Sequence, residues 1–232
     1  MKERSMEVVA IPFLKTVLVF ILALVPILNP LGLAPIFLAM TGSASEEVRA
    51  EMARRIATNA FIMLVLSMVI GSHVLEFFGL SLSIVRVGGG MLVIASAWKL
   101  LNTDDPRGTR MAEDKIDWSS KQGVERAFFP LTFPLLVGPG SIAIAITLGT
   151  GLVEGRAVSF LQAAAALVGV VLVSCLVFLS LRFAARLVRL LGDTGTLVFL
   201  RLSSFILLCI GVAIFWDGCA ELLAPWRPVP AR

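Results

Sequence analysis

The sequence predicts an all-α integral membrane protein of six transmembrane helices, arranged as two inverted three-helix repeats with the first helix of each repeat broken. Three observations carry that prediction. The 232-residue chain is 58% hydrophobic with a mean hydropathy of +0.93, more apolar surface than a soluble core of this size requires. Its charges leave uncharged runs at residues 16–45, 57–75, 87–98, 127–153, 157–181 and 202–216. Finally, Pro26, Pro30 and Pro35 recur 104 residues later as Pro130, Pro134 and Pro139, each triplet inside an apolar run.

Most of these runs approach or exceed the roughly 20 residues a helix needs to cross a bilayer. The two shorter ones reach that length if Arg86 and Arg201 sit near their ends. The first segment, residues 13–41, is expected to break at 29–35, because a proline removes a backbone donor and clashes with the preceding turn. At about 1.5 Å per residue it exceeds a ~30 Å hydrocarbon core, so it either tilts strongly or folds back after Asn29. An amphipathic stretch carrying Glu46, Glu47, Arg49, Glu51, Arg54 and Arg55 leads into the second crossing, which ends near His73 and Glu76. Gly79 makes a short turn, and the third crossing runs over about 82–101. Residues 102–124 are polar, hold both charge signs and read as a linker between the halves. The second half repeats the order: a broken segment over 126–150, a crossing over 157–181 and a last one over about 197–216. The repeats are thus residues 1–101 and 125–232.

The repeat extends past the prolines. The stretch from Ile84 to Ile94 aligns with that from Phe199 to Cys209, so Arg86 matches Arg201, and Gly88 and Gly89 match Ser203 and Ser204. Three crossings per half is an odd number, so the second half inserts upside down. Charge says the same independently. With Lys15, Arg86 and Arg201 set aside, twelve Lys and Arg fall in the first, third and fifth connections and five in the termini and the other two connections. The positive-inside rule then places the odd connections in the cytoplasm and both termini outside it.

A span broken in mid-membrane is tolerated only where protein or a water-filled cavity surrounds the freed backbone, and matching breaks in two inverted halves point to a binding site. Short helices starting at Ile36 and Ser141 would aim unpaired N–H groups and the positive ends of their dipoles toward the centre, where a solute carboxylate is suited. Gly32, Gly138 and Gly140 are expected to let a ligand approach the backbone around Pro30, Pro35 and Pro139. Asn29, Thr132 and Ser141 offer uncharged hydrogen bonds. Arg86 and Arg201, the basic residues well inside the spans, are expected to attract a carboxylate or to close a gate on each side, or else to snorkel and anchor helix ends. The alternative for the breaks is a pair of structural kinks.

Other functions fit less well. The net charge of +4 does not make a nucleic-acid face, since no loop interleaves aromatics with its charges. Cys175, Cys209 and Cys219 lack metal or redox spacing and are expected to be inert packing residues. No cleavage pattern follows the first apolar segment, which is expected to stay in the mature protein. A serine nucleophile at Ser141 would need a base, and the one histidine, His73, sits at a span end, so no enzyme activity is expected. No cofactor is implied, and coupling to Na⁺ or H⁺ stays open. A membrane scaffold and a passive small-solute channel remain as alternatives to a carrier, and oligomeric state is left open.

The motifs Asn29-Pro-Leu-Gly-Leu-Ala-Pro-Ile-Phe37, Phe77-Phe-Gly-Leu-Ser-Leu-Ser-Ile-Val-Arg-Val-Gly-Gly-Gly90 and Phe129-Pro-Leu-Thr-Phe-Pro-Leu-Leu-Val-Gly-Pro-Gly-Ser141 resemble the MarC family, in order and spacing, over nearly the whole chain. The resemblance implies a six-helix protein of the bacterial or archaeal inner membrane, and, from members assigned so, transport of small neutral amino acids such as glycine and alanine. The partners it implies are a small-molecule solute and the lipid bilayer. The family's proline-glycine motif maps onto Asn29, Pro30, Gly32 and Pro35, and its Gly-Pro-Gly motif onto Gly138, Pro139 and Gly140. Where some relatives carry Asp and Asn, this chain has Asn29 and Leu33, which removes an ionisable group and a polar side chain.

Overall fold

Helix-end signals in the sequence are read out directly in a computed structural model of the chain, which describes residues 2–41, 44–102, 125–153 and 160–224. Among these residues every element is helical. The linker expected at 102–124 lies, apart from Asn102, outside them.

Helix α1 (Lys2–Leu28) is followed after one residue by α2 (Pro30–Met40). Together they supply one span-length apolar stretch, Ile11–Leu38, of 28 residues. Its rise of about 42 Å exceeds a ~30 Å core, so it must tilt to cross. The fold-back considered from sequence is not adopted. The interruption is also narrower than expected. It is confined to Asn29, while Pro35 lies inside α2 and Ile36 is mid-helix rather than a helix start. The reason is that Pro30 occupies the first helical position, where its missing N–H is not needed and its fixed φ suits the helix.

Helix α3 (Glu46–Phe77) starts at Ser45, whose Oγ accepts from Val48 N at 3.3 Å, with Glu46 and Glu47 complementing the dipole in the first turn. It ends in paired bonds, Leu80 N to Leu75 O and Gly79 N to Glu76 O, closed by Gly79 at φ 66. Helix α4 (Leu82–Leu101) then begins at Ser81, whose Oγ accepts from Ile84 N at 3.3 Å. Asn102 closes it by donating from Nδ2 to Trp98 O at 2.9 Å.

In the second half a short, wide-turned segment, α5 (Ala127–Leu136), precedes α6 (Pro139–Val153). Phe129 and Phe133, each before a proline, are extended, as the ring of a following proline favours. The axes of Ala127–Leu136 and Pro139–Leu152 are bent by 69°. Helix α7 (Phe160–Arg182) is followed by α8 (Ala184–Leu223), which bends at Gly192, φ 66 and ψ −178. The part of α8 long and apolar enough to span is Thr194–Leu223, longer than the stretch expected from sequence. The described residues therefore hold five helices fit to cross a membrane, or six if the bent α5–α6 pair counts as one span.

One hydrophobic core draws on α1, α2, α3, α5 and α7, with Phe20, Leu24, Phe37, Ile56, Leu131 and Val173 fully buried. Helix α4 runs along α8, and α6 lies between α3 and α4. These crossings are close because glycine occupies them. A Cβ on Gly90 would lie 2.6 Å from Phe215 N, one on Gly218 would lie 2.8 Å from Ser83 O, and Gly169 of α7 receives Phe20 of α1. Without a hydrophobic drive between helices in lipid, small residues that let backbones approach supply the packing. The opposite faces carry exposed Leu22, Val69, Val171, Leu202 and Phe205, an apolar surface for acyl chains.

Candidate functional site

The two interruptions are built differently. Asn29 sits in the left-handed region, φ 44 and ψ 57, which asparagine tolerates better than other residues with a side chain. Its Oδ1 accepts from Gly32 N at 3.1 Å, so the chain's own amide caps the start of α2. Gly32 is what makes the cap fit, because a Cβ there would collide with the Asn29 amide. The ladder nearly continues through the junction, with Asn29 N on Val25 O at 2.9 Å and Leu33 N on Asn29 O at 3.0 Å. Pro30 and Pro35 are buried.

The second interruption is more open. Thr132 is buried, and its hydroxyl donates to Ala127 O at 2.7 Å while its carbonyl accepts from Val137 N at 2.8 Å. It therefore holds the wide turn of α5 together. After the bend, exposed Pro139 opens α6, with Gly140 and Ser141 buried behind it. Ile142 N bonds Gly138 O at 3.1 Å. The amides of Gly140 and Ser141 belong to a first turn, where a helix provides no internal acceptor. Gly140 backs onto α4: a Cβ there would strike Val93 and come within 3.4 Å of Gly89 O. Gly138 has a looser constraint, with Pro134 O 3.2 Å from a Cβ position.

Helices α2 and α6 do not pack along one another; α6 lies against α3 and α4, and α2 against α7 and α8. The structure thus brings Gly138, Pro139, Gly140 and Ser141 together with Gly89 of α4, and keeps Asn29, Pro30, Gly32 and Pro35 in a separate neighbourhood.

Of the two intramembrane arginines, Arg86 is partly buried and Arg201 is exposed on α8, where it too is engaged. Arg86 donates from Nη1 to Glu221 Oε2 at 2.7 Å and from Nε to Thr147 Oγ1 at 3.5 Å. It so ties α4 to the end of α8 and to α6. The sequence reading did not single out Glu221 or Thr147. The available signal was that an arginine near a span end calls for a counter-charge on the same side, and Glu221 follows the last apolar run. No group of His, Cys, Asp and Glu among the described residues could hold a metal ion. His73 is exposed.

Comparison with known proteins gives a consistent result. The model of the MarC family, described as integral membrane proteins, matches residues 14–223. A UPF0056 membrane protein of Archaeoglobus fulgidus is 36% identical over 201 residues, covering 85% of this chain and 89% of its own. The UPF0056 membrane protein YvbG of Bacillus subtilis is 30% identical over 197 residues, covering 85% and 90%. The UPF0056 inner membrane protein MarC of Escherichia coli is 27% identical over 214 residues, covering 89% and 95%. No solved structure matches the chain.

Proposed function

The chain belongs to the MarC family of integral membrane proteins, and from that premise we propose that it is an inner-membrane secondary transporter of small neutral amino acids or similar small solutes. The single observation that carries the reading is the start of α6. A helix of 15 residues begins inside an apolar segment after a 69° bend, with glycine on both sides of its contact with α4. Its first-turn amides and dipole favour a carboxylate, and Gly138, just before the helix start, adds no side chain beside them.

The two halves act as inverted repeats. Support comes from packing that maps onto itself when the halves are exchanged: α4 lies on α6 as α8 lies on α2, and α4 on α8 and α3 on α7 are their own counterparts. The charge distribution supports placing both termini outside the cytoplasm. The solute sits at the α6 start, and the halves rock around it, as in other carriers built this way. The α2 start, capped by Asn29, is the more rigid of the two.

The test is uptake of labelled glycine, alanine and serine into liposomes holding the purified protein, with and without a Na⁺ or pH gradient. Saturable uptake driven by one gradient is expected, and it should fall at least tenfold in Ser141→Val, which crowds the first turn of α6. A passive channel on the same bend would move solutes without saturation. Absence of movement for every solute and gradient would leave a scaffold role and end the transporter reading.

A further inference from the structure

Arg86 is the fifth residue of α4, and its partners Glu221 and Thr147 lie 135 and 61 positions away, both in the other half of the chain. One turn deeper on α4, a Cβ on Gly89 would lie 2.9 Å from Ala143 Cβ and 3.6 Å from Gly140 Cα. Thr147 is eight residues beyond Pro139, a rise of about 12 Å along α6. Arg86, held to the end of α8 by Glu221 and to α6 by Thr147, therefore closes the α4–α6 seam about two turns above the helix start where the solute is placed. By the charge distribution, this is the end of the seam facing away from the cytoplasm.

The chemistry of the pair is that of an occupied carboxylate site. A guanidinium offers a planar fork suited to two carboxylate oxygens. Here its Nη1 meets one oxygen of Glu221 and its Nε turns to a threonine hydroxyl, so the fork is not filled bidentately. The side chains are 25% and 52% exposed, so the protein does not seal the pair and one carboxylate can replace another without opening a packed core. A fully buried pair would resist such exchange.

We propose that Arg86, with Thr147, is the outer carboxylate subsite of the solute path and that Glu221 is its resident occupant. The chain latches its two halves by filling the subsite with its own carboxylate. An incoming α-amino acid displaces Glu221 from Arg86, releases α4 from the end of α8 and lets the Arg86 side chain swing clear of the seam above Gly89 and Gly140. This rests on the transporter reading and adds to it how the outer end of the site is opened, and why a carboxylate is required of the solute.

The experiment reads access rather than flux. Cys175, Cys209 and Cys219 are replaced by alanine, Ala143→Cys, on the α4–α6 seam between the latch and the helix start, supplies a reporter, and a membrane-impermeant thiol reagent is applied from outside the cell. Glu221→Gln should raise the labelling rate about fivefold, the equivalent of ~1 kcal/mol. The charge-exchanged pair Arg86→Glu with Glu221→Arg should restore the slow rate. Saturating glycine should accelerate labelling when Glu221 is present and add nothing in Glu221→Gln, whereas methylamine, which lacks a carboxylate, should have no effect. A rate indifferent to Glu221→Gln, or one that the charge exchange fails to restore, overturns the proposal even where transport is intact. If no solute is transported but the rise and its restoration both hold, the transporter reading falls and the latch survives as a gate.

Discussion

Gly88, Gly89 and Gly90 are consecutive on α4, yet one added methyl meets a different neighbour at each. At Gly90 it would lie 2.6 Å from Phe215 N, 2.8 Å from Phe215 Cα and 2.9 Å from Gly211 O, all backbone of α8. Carbon contacts settle at ~3.5–4.0 Å, so the α4–α8 crossing must open by about an ångström, and overpacking of this kind costs ~1–3 kcal/mol. At Gly89 the nearest atom, 2.9 Å away, is the Ala143 methyl, with Gly140 Cα at 3.6 Å. A smaller shift of α6 relieves it. At Gly88 nothing lies within 4 Å. Alanine there only removes glycine's helix penalty, a gain of ~0.5–1 kcal/mol. The three alanine variants should therefore rank Gly88→Ala above wild type, Gly89→Ala below it and Gly90→Ala lowest, the extremes separated by about 1.5–4 kcal/mol. Unfolding by sodium dodecyl sulfate in mixed micelles, followed by circular dichroism, measures the order. Equal midpoints for Gly88→Ala and Gly90→Ala would refute the glycine-lined contact between α4 and α8.

Other outcomes follow from the same geometry. Gly32→Ala should destabilise by ~1 kcal/mol or more through its collision with the Asn29 amide, and adding Asn29→Gly should recover most of that loss, a non-additivity that micelle unfolding detects. Thr132→Val should cost about 1 kcal/mol by leaving Ala127 O without its 2.7 Å donor, and an unchanged unfolding midpoint would deny Thr132 its structural part. Ser174 and Ser180 of α7 are buried hydroxyls with no partner among the described residues, so Ser174→Ala should be neutral or stabilising by up to ~1 kcal/mol. The Arg182–Glu46 pair, 3.1 Å apart with side chains 33% and 74% exposed, should contribute under ~1 kcal/mol, and Glu46→Gln should lose that small effect in high salt.

Local chemistry was legible in the sequence wherever the deciding atoms were close along the chain. Gly79 was read as a turn from sequence, and the Ser45 and Ser81 caps, though not singled out, are equally local, since their partners lie three residues on. The bend before Pro139 was announced by two X-Pro steps and a Gly-Pro-Gly triplet. The extent of the first interruption was not legible, since Pro30 and Pro35 look alike in sequence. Only one of them occupies a first helical position, where a missing donor is harmless, and the Asn29 cap makes the interruption a single residue. The three different surroundings of Gly88, Gly89 and Gly90 were not legible, because each depends on which helix arrives from far along the chain. The same holds for Arg86, expected to attract a carboxylate, to gate or to snorkel, whose partner in the chain lies 135 residues away. The bend at Gly192 was not singled out, although Gly192-Asp-Thr-Gly195 is the kind of glycine and aspartate cluster that marks a turn.

The most direct test of the central claim is counterflow in liposomes: unlabelled L-alanine is loaded inside, and labelled L-alanine is followed as it enters against no net gradient. A carrier whose halves alternate around the α6 start gives transient, saturable accumulation, smaller when D-alanine is the internal solute. Entry that never exceeds equilibration, rises linearly with concentration and ignores stereochemistry would contradict it.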